Sequence, residues 1–223
     1  MSDYIRAQKG FDGKHYGIIA TEGSQWSKQR RFGLKTLKDF GLGKQSLEET
    51  INIEVQEIVN AFLSTNEDFY LRTDFNVPII NILWQLVAGS RFTEDDPEGM
   101  EMVASVNKVF KCLMKMELVP LQLLKMFPRV TEYEENVRIY EVQKKFIFKE
   151  IEQHEQTLDR EHPRDYIDVY LNEMEDNKSS EDFNKKDLAV SMWDFLHAGT
   201  ETSSTTLKWI VLYLTLYQDV QDK

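Results

Sequence analysis

Cysteine is almost absent from this chain, with one residue, Cys112, in 223. A single thiol excludes an intrachain disulfide and any cysteine-cluster metal site, and it points to a reducing setting. Glycine (10) and proline (5) are scarce too, below the usual shares of roughly 7% and 5%. So few turn residues disfavour a many-stranded sandwich and favour helices. No apolar run reaches the ~18 residues of a membrane-spanning helix; the longest are 209–217 and 77–88, the second broken by Asn81 and Gln85. No basic-then-apolar leader opens the sequence, so a soluble polypeptide without a secretory signal is expected. Basic residues are outnumbered, 27 Lys and Arg against 38 Asp and Glu, which leaves a net charge of −11 at pH 7. That charge argues against a general nucleic-acid or anionic-membrane binder, while leaving room for a local basic patch.

What is present is enough apolar residue for a core, 41%, arranged with helical periodicity along most of the chain. Ser24 is expected to cap a helix over 25–40 that stops at Gly41-Leu42-Gly43. Ser46-Leu47-Glu48-Glu49 reads as a capping box opening a helix with Leu47, Ile51, Val55, Ile58 and Phe62 on its inner stripe. After a polar break at 64–68, Phe75, Ile79, Ile82, Leu83 and Leu86 mark the next helix, with Pro78 near its first turn. Further helices are predicted over 98–117 and 133–158, the second with Val137, Tyr140, Ile147, Ile151 and Leu158 on one stripe. The pattern leaves the state of 121–127 open. Pro163 marks a helix start before an inner face of Ile167, Tyr170, Leu171 and Met174, and a solvated linker runs over 175–184. Asn184, with Asp187 three residues on, is placed to cap a last long helix over 185–217. The fold class predicted is all-α, with no confident strand.

Two segments carry chemistry. In Trp26-Ser27-Lys28-Gln29-Arg30-Arg31, Trp26 and Arg30 are four apart and share a helix face that Leu37 extends. A guanidinium on an apolar stripe is costly unless an anion meets it. Either Arg30 snorkels to a nearby acid, or guanidinium and indole N–H together grip a ligand carboxylate. The second segment is Ala198-Gly199-Thr200-Glu201-Thr202-Ser203-Ser204-Thr205-Thr206. Glycine costs roughly 1 kcal/mol in a helix relative to alanine, and hydroxyls here compete for backbone partners. The stretch is either a loop between two helices or one long distorted helix. In the second case Gly199 would let a flat ligand approach, while Glu201 and Thr202 supply an acid and an alcohol for proton delivery.

In this order the two segments resemble the cytochrome P-450 haem-thiolate monooxygenases. Gly17-Ile18-Ile19, Arg30-Arg31-Phe32, Phe40-Gly41-Leu42-Gly43-Lys44, Gly89-Ser90-Arg91-Phe92, Phe127-Pro128 and Pro163-Arg164-Asp165-Tyr166-Ile167-Asp168 are similar to the microsomal family 2 type. So are the stretch from His154 to Asp159, Trp209, and the residues from Ala198 to Leu207. The resemblance runs collinearly over nearly the whole chain. It implies that Trp26 and Arg30 bind haem propionates and that Ala198, Gly199, Glu201 and Thr202 lie over the distal, oxygen-binding face. There Thr202 is the hydroxyl nearest the oxygen and Glu201 the acid of the proton relay. It also implies a pocket for a small hydrophobic organic substrate at Phe110, Met114, Met192 and Phe195, where ordinary core packing is an equal alternative.

From Trp26 to Lys44 six basic residues (Lys28, Arg30, Arg31, Lys35, Lys38, Lys44) face one acid, Asp39. The resemblance implies that an NADPH-dependent flavoprotein reductase docks on the Lys28, Arg31 and Lys35 face; an ordinary solvated face is the alternative. His197 stands where the family usually has an apolar residue or glycine, and packing is its expected role. His15, His154 and His162 show no metal-ligand spacing and are expected to be solvated or capping, so no metal ligand is assigned within the chain.

The family's E-x-x-R helix and its F-x-x-G-x-x-x-C-x-G loop, which holds the iron-ligating thiolate, are not among the 223 residues, and neither is the amino-terminal membrane anchor. Cys112 sits in Phe110-Lys111-Cys112-Leu113, without that loop, and reads as a packing thiol. The expectation is a fragment, residues 1–223 forming part of one P-450 domain, inactive alone and exposing apolar helix faces. A complete parent would be an endoplasmic reticulum membrane protein. The runner-up reading is a non-catalytic helical ligand-binding or interaction protein derived from such an enzyme.

Overall fold

The computed structural model describes residues 14–64, 75–116, 121–127, 133–178 and 182–223. Its helices are α1 (Gly23–Asp39), α2 (Glu48–Ser64, preceded by a 3-10 turn, Gln45–Leu47), α3 (Asn76–Ala88), α4 (Pro97–Met116), α5 (Leu121–Met126), α6 (Tyr133–Thr157), α7 (Tyr166–Asp176), α8 (Lys185–Leu216) and α9 (Gln218–Gln221). No strand occurs among the described residues, in line with the all-α expectation. The polar break at 65–68 lies outside them.

The core is shared by α3, α4, α6, α7 and α8, and the most extensive contacts pair α4 with α6 and α3 with α8. Trp84, Ile80, Met102, Ile147, Ile151, Tyr166, Ile167 and Leu188 are fully buried there. Burying each such side chain contributes roughly 1.5–3 kcal/mol. Aromatic rings knit α1 to α7 and the start of α8, with Phe32 edge-on to Tyr166, Tyr170 and Phe183 at 5.9, 5.3 and 5.1 Å.

The start of α8 follows the sequence closely. Asn184 Oδ1 accepts the N–H groups of Lys186 and Asp187 at 3.1 and 3.0 Å, and no loop interrupts the helix at Gly199. Instead of breaking the helix, its hydroxyls bond back to carbonyls one turn earlier: Thr200 to Leu196 at 2.5 Å, Thr202 to Ala198 at 2.7 Å and Thr206 to Thr202 at 2.8 Å.

Several local expectations are corrected. Glu22, not Ser24, is the N-cap of α1, and it makes no side-chain cap bond. The helix after Pro163 begins at Tyr166, where the Asp165 carboxylate accepts the Asp168 N–H at 3.0 Å. On α2 the expected inner residues Ile51 and Val55 are exposed, and Glu54 is buried instead. The reason is a charge network, in which Glu54 receives Arg91 at 2.7 and 2.6 Å and Asn81 at 3.3 Å. Val137 is exposed on α6, whose inner stripe includes the polar Asn136, Gln143 and His154. His154, expected to be solvated or capping, is buried, with Nδ1 2.8 Å from the Glu150 carbonyl and Nε2 2.9 Å from Asp165 Oδ2.

Candidate functional site

Helix α1 separates its residues by face. Gln29, Gly33, Thr36 and Leu37 are buried, whereas Trp26, Arg30 and Leu34, spaced by four, stand exposed on another side. The expected extension of the Trp26–Arg30 face by Leu37 therefore fails, and Leu34 takes that place. The burial of Gln29 explains the tilt: its amide donates to the Asp182 carbonyl at 2.6 Å and its oxygen accepts the Tyr170 hydroxyl at 3.1 Å. The Arg30 guanidinium lies over the Trp26 ring, 5.4 Å from its centroid. Among the described residues Arg30 forms no ion pair and the Trp26 indole N–H donates to no acceptor.

Helices α1 and α8 meet where α1 has no side chain. A Cβ on Gly33 would lie 2.9 Å from Phe195 Cζ and 3.3 Å from Ile18 Cδ1. Phe195, edge-on to Tyr166 at 5.2 Å, thus sits between the two helices, three residues before Ala198. The preceding segment is tied to the same helix, since Asp187 accepts the Gly17 N–H at 2.9 Å and Asp194 accepts those of Ile18 and Ile19 at 2.7 and 2.9 Å. Burial pushes the Asp187 carboxyl above the usual range, against its hydrogen bonds.

Along α8 the expected residues divide. Ala198 and Thr202 are exposed, one turn apart, and Glu201 is half-buried. The Thr202 hydroxyl proton is held by the Ala198 carbonyl, and Glu201 Oε1 accepts from Thr205 at 3.4 Å. Gly199 points elsewhere. A Cβ there would lie 2.7 Å from Leu83 Cδ1, so the missing side chain admits α3, where a flat ligand was expected. Met192 is fully buried in the core; the side chains of Phe110, Cys112 and Met114 lie outside the described residues. Beyond Thr206 the helix carries exposed apolar residues, among them Trp209, Ile210, Leu212 and Leu216, with Trp209, Tyr213 and Tyr217 stacked at 5.9 and 6.0 Å.

Lys28 pairs with Asp182 at 2.5 Å. Arg31 and Lys35 line a groove of about 610 Å³ between α1 and α7, with Ser27, Val169, Glu173 and Phe183 on its walls. His154, Asp165 and Asp168 bring ligating atoms within 4.8 Å of one another, but each is already bonded. Asp165 takes His154 and the Asp168 N–H, and Asp168 takes the Arg164 guanidinium at 2.6 and 2.8 Å. Burial raises the Asp168 carboxyl, but the Arg164 bonds outweigh it and hold the group below the usual carboxylate range. The cluster is a structural clasp. Gln143, Asp194, the Glu54–Arg91 pair and the hold of Asp187 on Gly17 were missed from sequence; the seven-residue spacing of Asp187 and Asp194 on an apolar helix face is the signal that could have found that pair.

A family model described as Cytochrome P450 matches residues 4–223. Similar relatives include Cytochrome P450 2J3 of Rattus norvegicus, 36% identical over 215 residues, covering 93% of this chain and 42% of the relative. Cytochrome P450 2B9 of Mus musculus is 36% identical over 216 residues (93% and 43%), and Cytochrome P450 2J2 of Homo sapiens 32% over 218 (94% and 43%). The chain belongs to the cytochrome P450 family. It spans less than half the length of these relatives. For a cytochrome P450 the implied group is haem, and the residues of α1 fit it: an exposed guanidinium and an indole N–H, free of other polar partners among the described residues, suit the carboxylates on a porphyrin edge. No helix among the described residues is long and apolar enough to cross a membrane.

Proposed function

We propose that residues 1–223 are part of one P450 domain and contribute the propionate-binding and distal residues of a haem-dependent monooxygenase. The reaction is insertion of one oxygen atom from O2 into a small hydrophobic organic substrate, with electrons from an NADPH-dependent reductase. The observation that carries the reading is the α1–α8 contact at Gly33 and Phe195. It joins the helix bearing Trp26 and Arg30, which have no other polar partner among the described residues, to the helix bearing Ala198 and Thr202.

Bound haem supplies the redox chemistry of oxygen activation. The chain's own residues bind, orient and handle protons. Arg30 and Trp26 hold the carboxylate edge. Ala198, exposed and small, leaves space on the distal side. The Thr202 hydroxyl donates its hydrogen bond to the Ala198 carbonyl, which leaves its oxygen lone pairs to accept a hydrogen bond from a distal donor, and Glu201, one residue earlier, is the acid of the proton relay. Phe195 and Met192, together with Phe110 and Met114, form the apolar wall for substrate. A complete parent resides at the endoplasmic reticulum membrane.

Cys112, the only cysteine of the 223 residues, stands in α4 without the glycine-containing loop of a thiolate ligand. The 223 residues are accordingly inactive on their own. The test is haem content of the full-length gene product, measured by its visible spectrum. Arg30→Leu removes a charge-assisted contact of about 1.5–3 kcal/mol and is expected to weaken haem retention about tenfold or more, whereas Arg30→Lys retains part of it. Undiminished haem binding in Arg30→Leu, or none in the wild type, would overturn the reading.

A further inference from the structure

One buried network beside Ala198 has its hydrogen-bond roles fixed without reference to any hydrogen position. Trp193, Gln143 and His197 form a closed ring between α6 and α8, with Gln143 and His197 almost fully buried. An indole N–H can only donate. Trp193 Nε1 lies 2.6 Å from the Gln143 side chain, so the amide oxygen must face it. The amide nitrogen is then turned to His197 Nε2, 3.3 Å away, and being a donor it requires that ring nitrogen to accept. The other ring nitrogen, Nδ1, lies 2.8 Å from the Trp193 carbonyl, which only accepts, so Nδ1 carries the hydrogen. His197 is therefore the neutral Nδ1–H tautomer. The rings of Trp193 and His197 stack at 4.0 Å and 25°, which holds the imidazole in plane for both bonds.

We propose that His197 is a positioning residue: through Gln143 it pins α8 to α6 immediately before Ala198, whose carbonyl holds the Thr202 hydroxyl. The network is independent of the proposed function, but its consequence at Thr202 rests on that reading. His154 shows the contrast, since both its ring nitrogens face acceptors, an arrangement suited to imidazolium. An apolar residue at 197 would take away the acceptor of the Gln143 amide N–H in the core, and within this network the register of α8 against α6 would rest on the Trp193–Gln143 bond alone.

The experiment is long-range 1H–15N NMR of labelled protein, which reports the protonation of each ring nitrogen, together with haem spin-state spectra of the full-length protein. Wild type is expected to show His197 protonated at Nδ1 alone. Gln143→Glu replaces the amide donor by an acceptor, and is expected to place a hydrogen on Nε2 as well. His197→Leu is expected to change the spin-state ratio and its response to a hydrophobic ligand, and His197→Gln, whose Oε1 again accepts from Gln143, to restore both toward wild type. An Nε2–H tautomer in the wild type overturns the network. The expected tautomer with unchanged spin-state behaviour in His197→Leu overturns the positioning role. A wild type that takes up no haem overturns the proposed function and the consequence at Thr202 together, while the tautomer spectrum still decides the network separately.

Discussion

The Asp194 carboxylate accepts the backbone N–H of Ile18 at 2.7 Å, and the same oxygen takes the N–H of Ile19 at 2.9 Å. One side chain of α8 thus holds a segment 175 residues away that otherwise has no regular structure. Removing it leaves two part-buried donors unpaired, at about 1–3 kcal/mol each. Asp194→Ala is expected to lower unfolding stability by roughly 2–4 kcal/mol on this basis. Asp194→Asn, which keeps an acceptor oxygen, should lose clearly less. Urea denaturation checks both, and equal losses in the two variants would refute the acceptor role.

Gly17 and Gly199 predict opposite tolerances. Gly17 has φ 75°, and a Cβ there would lie 2.5 Å from both Asp194 Oδ2 and Val190 Cγ1. Gly17→Ala combines a left-handed backbone, costing about 1–2 kcal/mol, with displacement of the Asp194 anchor, and a loss above ~2 kcal/mol is expected. Gly199 is helical, and its added Cβ would meet only the mobile end of Leu83. The ~1 kcal/mol helix preference for alanine then offsets the shift of Leu83, so Gly199→Ala should change stability by less than about 1 kcal/mol. Thermal unfolding of the two variants side by side is the measurement.

Much of this was legible from residue spacing, because helices announce themselves by period and caps act locally. Asn184 capped α8 as expected since its partners lie two and three residues away. Long-range polar pairing was not legible. On α2 either of two stripes could have turned inward, and the one with Glu54 did because Arg91 and Asn81 meet it from elsewhere in the chain. Gln143 and His154 interrupt an apolar stripe, and their partners His197 and Asp165 are brought in only by folding. At the site, Trp26 and Arg30 followed from a four-residue spacing, but the role of Gly199 did not, because the space it opens belongs to Leu83 on another helix.

The His154 clasp makes stability depend on pH with a definite sign. Burial lowers the tendency of the imidazole to charge, but Asp165 and the Glu150 carbonyl and carboxylate outweigh it, so its pKa is raised above the ordinary 6.5. Arg164 and Asp168 complete the charged surroundings on the α7 side, and Glu150, whose own carboxyl burial pushes up, completes those on α6. A raised folded-state pKa gives stability that is fully present below pH 6.5 and is lost as pH rises through the folded value. Comparing wild type with His154→Gln by denaturant midpoint from pH 5.5 upward should show a wild-type advantage that shrinks with rising pH. Each unit of pKa difference is worth about 1.4 kcal/mol. An advantage that is flat or grows with pH would exclude the imidazolium clasp.

The basic side of α1 is where the proposed reductase contact is tested. Lys28 is engaged with Asp182, so its reversal would disturb the fold between α1 and α8, whereas Arg31 and Lys35 line the open groove beside α7. Reversing those two to glutamate should leave haem content and thermal stability near wild type. Opposite-sign patches act mainly on encounter rate, so reductase-driven turnover of the full-length protein is expected to fall about tenfold at low ionic strength. The deficit should narrow as salt approaches 0.5 M, where screening shortens to about 4 Å. Turnover that is unchanged by the double reversal, or a deficit indifferent to salt, would place the reductase on another face.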